Sequence, residues 1–344
     1  MSHVHSLRIW GFAFGYFAAY VPYALVTKRV SSGHGLDHAW SGMAILPIAT
    51  LASTVGMLVF ITAMGWWKYA PHTRVGPLSL PRPRFVTFFS GVATAGIILT
   101  TTLAYTFDKL SIVFMMLLMR GGVLLLAPIV DRLTGRTFAS IPWWSWAGSG
   151  LSLVSLLVAF GLSSAGGPEL TVASTAVVVI YLGGYFFRLS WMSSRAKAFG
   201  PGGREQRLAF FVEEQMIATP FALLVLGILA ATDTSFGAEL RAGFAGLDGD
   251  VAAILWVVLA GLCSQGTGAF GALVLLEPQE NAYTVPVNRA ASVLAGVVAS
   301  FVLVALGEAS VLRASELGGA AIIILAIVVL SWPVWQRRFG RTTP

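Results

Sequence analysis

Apolar residues along this chain form ten long runs separated by short polar gaps. The runs do not alternate between apolar and polar positions, as the strands of a membrane β-barrel do in segments of about ten residues. An α-helix needs about 20 apolar residues to cross a bilayer, and each run approaches or exceeds that length. The pattern therefore predicts ten transmembrane helices, at residues 7–27, 40–64, 85–106, 110–130, 141–163, 170–191, 208–231, 250–276, 282–306 and 315–336.

The composition is that of a polytopic membrane protein. Of the 344 residues, 56% are hydrophobic and 11% are charged, with a mean hydropathy of +0.79. Soluble domains carry about 25% charged residues. The longest polar gaps, at residues 65–84, 192–207 and 232–249, are too short to form a soluble domain. The single cysteine, Cys263, excludes an intrachain disulfide. Because no reactive constellation is visible in the sequence, we expect no enzyme activity, catalytic residue, metal site or cofactor.

The distribution of lysine and arginine predicts the orientation in the membrane. With the N-terminus in the cytoplasm, the cytoplasmic segments hold fourteen basic residues and the outer segments hold five. This asymmetry follows the positive-inside rule. We therefore expect both termini in the cytoplasm and the chain in a bacterial plasma (inner) membrane. Topology then accounts for the net charge of +7, so the expected partner is the lipid bilayer and not nucleic acid.

Two halves of the chain carry similar patterns. Asp108 ends one span and precedes Arg120, inside the next span, by twelve residues. Glu277 and Arg289 repeat this arrangement, again twelve residues apart. Further upstream, the sequence YFAAY, which begins at Tyr16, resembles the sequence YLGGY in the second half. The matches occur in the same order and at similar offsets, which indicates one duplicated unit.

The duplicated unit contains five spans, and this odd number determines its orientation. A second copy of five spans enters the membrane from the opposite side and is therefore inverted. Inverted repeats are typical of secondary transporters, whose substrate site lies near the bilayer midplane between the halves. We expect one membrane domain built from a first repeat at residues 1–163 and a second at residues 164–344.

The ninth span resembles the EamA-like members of the drug/metabolite transporter (DMT) superfamily. In that pattern an arginine is followed three residues later by serine, and an apolar stretch then leads to Gly-Glu. Here these residues are Arg289, Ser292, Gly307 and Glu308. The resemblance implies an all-α polytopic membrane protein with ten transmembrane helices as two inverted five-helix repeats. It also implies a carrier that works by alternating access and exports or exchanges small metabolites.

Arg120 and Arg289 lie near the middle of predicted spans, where a charge costs about 2.5–3.5 kcal/mol on insertion scales. Arginine stays protonated, so each guanidinium requires a partner. One interpretation is that both bind an anionic substrate, because guanidinium matches carboxylate and phosphate bidentately. The other is that they pair with Glu213 and Glu214, two acids inside the span at 208–231. One of these acids is alternatively a proton carrier.

Tyrosines and amides supply the remaining candidates for substrate contact. Each tyrosine pair of the repeat is four residues apart, so its members share one helix face. These side chains either line the cavity or pack as an aromatic cluster. The candidates are Tyr16, Tyr20, Tyr181, Tyr185, Gln265 and Asn288.

Three charged residues are candidates for a gate. Asp108 and Glu277 each end a span, one on either side of the membrane in the expected topology. Arg188 lies near the cytoplasmic end of the span at 170–191, where the alternative is a side chain that extends to the lipid headgroups.

These features predict a secondary transporter that moves a small polar or anionic organic metabolite, with proton coupling left open. Two alternatives remain: a lipid-linked or phospholipid-headgroup translocator, and a non-transporting membrane scaffold or sensor. A helix-lined cavity that contains Arg120 or Arg289 favours transport. A dry centre in which acids pair with both arginines favours the scaffold.

Overall fold

Ten α-helices make up most of the described part of the chain. The computed structural model describes residues 2–339 apart from 108–109, 111, 136–142, 145–146, 149, 152–153, 156–157, 159–169, 199–202, 280 and 309–313. The helices are α1 Ser2–Ser32, α2 Gly42–Ala63, α3 Phe85–Ala104, α4 Ile112–Leu133, α5 Val172–Trp191, α6 Arg204–Ala230, α7 Ser235–Phe244, α8 Val251–Leu275, α9 Asn281–Ala305 and α10 Ala314–Phe339.

Seven helices in the described residues are long and apolar enough to cross a bilayer, namely α1, α2, α3, α5, α6, α8 and α9. Their outer surfaces expose large apolar side chains such as Phe14, Val179 and Leu255. A helix satisfies its backbone hydrogen bonds within itself, which the hydrocarbon interior requires. The chain is therefore an all-α integral membrane protein.

The remaining predicted spans are described in part. Helices α4 and α10 coincide with the spans expected at 110–130 and 315–336. The span expected at 141–163 lies mostly outside the described residues.

Two polar gaps contain structure that the hydropathy pattern does not predict. Helix α7 lies in the gap at 232–249, where the Thr234 hydroxyl accepts a hydrogen bond from the Gly237 backbone N–H at 3.0 Å and caps the helix. The gap at 65–84 contains a 3₁₀ turn and an antiparallel hairpin, with bounds Trp66–Tyr69, His72–Val75 and Leu78–Pro81. Both elements are too short to produce a long apolar run.

The helices pack so that polar faces meet at the centre of the bundle. Helix α1 packs against α8 and α9, α5 packs against α3 and α4, and α4 packs against α9. Glycines allow close approach at two of these contacts. A Cβ added to Gly271 would lie 2.9 Å from the Tyr16 ring, and one added to Gly184 would lie 2.9 Å from the Ile97 side chain. The contact at Gly271 brings α8 close to α1, and the contact at Gly184 brings α5 close to α3.

Candidate functional site

Arg120 lies at the centre of the bundle between two tyrosine rings. Its guanidinium donates a hydrogen bond to the Tyr20 hydroxyl. Its Cζ atom lies 5.3 Å from the centroid of the Tyr20 ring and 5.1 Å from that of the Tyr181 ring, within the range of a cation–π contact. The side chain is buried, and its Nε makes no hydrogen bond to any residue that the structure describes. Aromatic faces thus solvate this charge, and one donor remains available.

Arg289 occupies a similar environment on α9. Its Nη1 donates to the Tyr181 hydroxyl at 2.9 Å, and its Cζ lies 4.6 Å from the Tyr185 ring centroid. The side chain is fully buried, and Nε and Nη2 have no hydrogen-bond partner among the described residues. Tyr181 contacts both arginines, since its ring faces Arg120 and its hydroxyl binds Arg289.

Neither central arginine has an acidic partner within the described residues. Glu213 accepts hydrogen bonds from Arg84, at 2.5 Å from Nη2 and 2.8 Å from the backbone nitrogen, and from the Thr87 hydroxyl at 2.6 Å. The Glu213 carboxylate therefore provides a hydrogen-bond acceptor for the backbone N–H of Arg84 at the start of α3. The side-chain hydrogen bond with Glu213 also raises the pKa of the Arg84 guanidinium, which lies outside the span.

Glu214 binds the third arginine that the spans contain. Its oxygens accept from Arg188 Nε at 3.0 Å and Nη2 at 2.6 Å, and from the Ser90 hydroxyl at 2.5 Å. Both partners are buried. The expected alternative, in which these two acids neutralise the central arginines, is therefore replaced by pairs with Arg84 and Arg188. The headgroup position considered for Arg188 is wrong for the same reason, because the ion pair holds its side chain inside the bundle.

A cavity of about 50 Å³ lies at the centre of the bundle, and Arg120 is part of its wall. It has room for a few water molecules, each of which needs at least about 10–15 Å³. Helices α1, α2, α3, α4, α5, α6 and α8 supply its wall. Charged, aromatic and amide side chains in that wall include Tyr16, Tyr20, Tyr23, Arg120, Tyr185, Arg188, Gln215 and Gln265.

Five of the expected substrate-contact residues line this cavity, namely Arg120, Tyr16, Tyr20, Tyr185 and Gln265. The amide oxygen of Gln265 accepts a hydrogen bond from the Ser53 hydroxyl at 3.2 Å. Tyr181, Arg289 and Asn288 lie outside the cavity wall. Asn288 reaches it indirectly, because its Nδ2 donates to the carbonyl of Gly271, a wall residue, at 3.4 Å.

The two described gate candidates, Glu277 and Arg188, bind different partners. Glu277 lies just after α8 and accepts hydrogen bonds from Arg8 Nε at 2.9 Å and Nη2 at 3.0 Å. Arg188 lies in the cavity wall with Glu214 as its partner. Asp108 lies outside the described residues.

Two tyrosines of the site were not among the expected residues. Tyr23 hydrogen-bonds to the Thr102 hydroxyl at 2.9 Å, and Tyr105 hydrogen-bonds to Tyr20. Tyr23 follows Tyr20 by three residues, and that spacing indicates a shared helix face. Tyr105 carries no such signal, because only the fold brings the end of α3 next to Tyr20 of α1.

A buried lysine outside the cavity was also missed. Lys197 Nζ donates to Asn281 Oδ1 at 2.9 Å and to the Thr284 hydroxyl at 3.1 Å, at the start of α9. In the sequence Lys197 is one basic residue of a polar gap, so nothing there distinguishes it from an exposed residue. Within the described residues, no group of three or more His, Cys, Asp or Glu side chains is placed to hold a metal ion.

No protein-family model matches this chain, and no curated protein matches it. A solved structure described as "Crystal structure of protein" aligns with 93% of this chain and with 98% of its own chain, at 14% sequence identity and a TM-score of 0.49.

Proposed function

We propose that this protein is a secondary transporter that moves a small anionic organic metabolite by alternating access. The observation that carries the proposal is a pair of buried arginines, Arg120 and Arg289, that have no acidic partner within the described residues. Arg120 Nε and Arg289 Nε and Nη2 have no hydrogen-bond partner in the part of the chain that the structure describes, and Arg120 lines the central cavity. Ionisable side chains inside a membrane are costly and are usually functional. An anion that binds both guanidinium groups would satisfy these donors and neutralise the charge.

The chemistry of the surrounding wall favours a small organic anion over an inorganic one. Guanidinium groups bind carboxylate and phosphate through paired hydrogen bonds. The rings of Tyr16, Tyr20 and Tyr185 offer apolar faces to a carbon skeleton, and Gln265 offers an amide. Pockets of this kind, mainly aromatic with a few convergent polar groups, are typical of small-molecule sites.

The packing of the helices supports two inverted repeats of five spans, with α1 corresponding to α5, α2 to α6, α3 to α8 and α4 to α9. Helix α1 packs against α8 and α9, and its counterpart α5 packs against α3 and α4. Helix α2 packs against α8, and its counterpart α6 packs against α3. On this proposal the chain has ten spans, both termini in the cytoplasm and the EamA-like arrangement of the drug/metabolite transporter superfamily, in a bacterial inner membrane.

The size of the cavity suggests that binding requires movement. A volume of about 50 Å³ accepts water and not an organic metabolite, since small-molecule sites usually measure about 300–1,000 Å³. The two arginines lie on α4 and α9, which pack against each other. Separation of the two repeats would widen the centre on one side at a time, as alternating access requires.

Uptake into proteoliposomes tests this proposal. Purified protein would be screened against small carboxylates, phosphate esters, neutral analogues and amines, with Arg120→Gln and Arg289→Gln as test variants. Arg74→Gln is the matched control, because it removes the same charge from the exposed hairpin. We expect transport of an anion that falls at least about tenfold in either test variant, the equivalent of about 1.4 kcal/mol of lost binding. Normal transport by both folded test variants would refute an anion site at these residues.

A further inference from the structure

A second pocket, of about 270 Å³, lies at the end of the bundle where α3 and α6 begin and α5 ends. A π-helical turn, Met192–Ala196, continues α5 into its wall. We call it the arginine pocket; its wall includes Arg84, Phe85, Thr87, Arg195, Gln206 and Phe210. It is distinct from the central cavity, with which it shares no residue.

Arg195 provides the uncompensated charge of the arginine pocket. Its side chain is exposed and makes no hydrogen bond or ion pair with any described residue. Arg84 adds a second guanidinium, but Glu213 already binds its Nε and Nη2. Glu213 neutralises one of the two arginines, so the pocket carries one net positive charge and a free Nη1 on Arg84. A monovalent anion matches this arrangement.

Aromatic side chains continue from the pocket along the outside of the bundle. The exposed Phe85 ring packs 4.8 Å from Phe89, measured between ring centroids, and Phe89 lies 6.4 Å from Trp191. Trp191 stacks on Phe187 at 5.7 Å. We call these four residues the aromatic face. Phe89 and Phe187 each lie one turn further from the helix end than Phe85 and Trp191, so this face extends towards the bilayer interior.

We propose that the arginine pocket binds the headgroup of an anionic phospholipid. The lipid phosphate contacts Arg195 and Nη1 of Arg84, and an acyl chain lies along the aromatic face. On the topology proposed above, this end of the bundle is cytoplasmic, where basic pockets between membrane helices bind anionic headgroups and aromatic side chains are enriched at the membrane interface. A soluble phosphate would use only the arginines and would leave the aromatic face unoccupied. A phosphatidylcholine headgroup would bring its own positive charge against Arg195.

Native mass spectrometry of the purified full-length protein in a neutral detergent tests this proposal. The probes are dioleoyl-phosphatidylglycerol, dioleoyl-phosphatidylcholine and inorganic phosphate. The variants are Arg195→Gln and Phe85→Ala, neither of which threatens the fold, because both side chains are exposed and Arg195 has no partner in the described residues. Arg74→Gln, an exposed arginine outside the pocket, controls for the loss of one charge.

We expect one phosphatidylglycerol molecule to bind at least about fivefold more tightly than phosphatidylcholine, the effect of one basic residue at a membrane surface. Arg195→Gln should remove this preference, Phe85→Ala should weaken binding of both lipids, and Arg74→Gln should bind as the unaltered protein does. Equal binding of phosphatidylglycerol and phosphatidylcholine would overturn the proposal. An equal loss of the lipid preference in Arg195→Gln and Arg74→Gln would also overturn it. Full competition by millimolar inorganic phosphate would also overturn it, since the pocket would then be a site for free anions.

Discussion

Two buried arginines in this bundle are expected to lose very different amounts of stability on the same substitution. Arg188 is held by the carboxylate of Glu214, through bonds of 3.0 and 2.6 Å. Arg120 has a tyrosine hydroxyl, two tyrosine rings and no acid in the described residues. Each arginine would be changed to glutamine, which removes the charge but keeps an amide donor. The comparison separates an arginine that stabilises the fold from one that is kept for a ligand.

The magnitudes follow from these contacts. A mid-membrane arginine costs about 2.5–3.5 kcal/mol, and an unsatisfied buried donor adds about 1–3 kcal/mol. For Arg120 one charged hydrogen bond offsets about 1.5–3 kcal/mol, and two ring contacts offset about 0.5–2 kcal/mol each. These terms nearly cancel, so Arg120→Gln should change the free energy of unfolding by no more than about 1–2 kcal/mol. Arg188→Gln leaves the Glu214 carboxylate buried without its cation, which should cost about 3–5 kcal/mol.

Reversible unfolding in mixed detergent micelles, with increasing sodium dodecyl sulfate and intrinsic tryptophan fluorescence as the signal, measures both variants. Proteoliposome transport is measured on the same preparations. We expect Arg120→Gln to be folded, near normal in stability and defective in transport. A loss of stability by Arg120→Gln equal to that of Arg188→Gln, at about 3 kcal/mol or more, would refute the reasoning. It would assign Arg120 to the support of the bundle and not to a ligand.

Three further predictions concern single residues. Glu213→Ala removes the acceptor at the start of α3 and should lower the free energy of unfolding by about 1–3 kcal/mol in the same titration; no change would mean that water replaces the carboxylate fully. Tyr181→Phe removes the hydroxyl that accepts from Arg289; it should raise the transport KM about fivefold and lower the free energy of unfolding by about 1.5–3 kcal/mol, the value of a hydrogen bond to a charged group, and an unchanged KM would exclude this hydroxyl from orienting the site. The pKa of Asp250 is lowered in the folded protein, chiefly by the hydrogen bond from the backbone N–H of Ala253. The contribution of Asp250 to the free energy of unfolding is therefore present above the unfolded pKa of about 3.9 and is lost as pH falls through the lower folded pKa. Asp250→Asn should therefore reduce the drop in thermal midpoint between pH 7 and pH 3, and identical pH profiles would contradict this assignment.

Much of the bundle follows from the linear pattern of apolar residues. Every described long apolar helix coincides with a predicted span, because an apolar run in lipid must satisfy its backbone within itself. The pattern also indicated the central arginines and three of the four tyrosines in the cavity wall, namely Tyr16, Tyr20 and Tyr185. Helix α7 was missed, since a helix of ten residues with a polar face produces no long apolar run.

The choice of charge partners, by contrast, depended on tertiary structure. Three arginines and two adjacent glutamates lie inside the spans, and their spacing along the chain does not determine which of them meet. Packing of α6 against α3 and of α3 against α5 brings Glu213 to Arg84 and Glu214 to Arg188. The same packing leaves Arg120 and Arg289 among tyrosines. The sequence by itself determined that buried charges exist, because composition and hydropathy are local properties. Only the packed bundle decided which of them are neutralised, because ion pairing requires atoms within a few ångströms that are far apart in the chain.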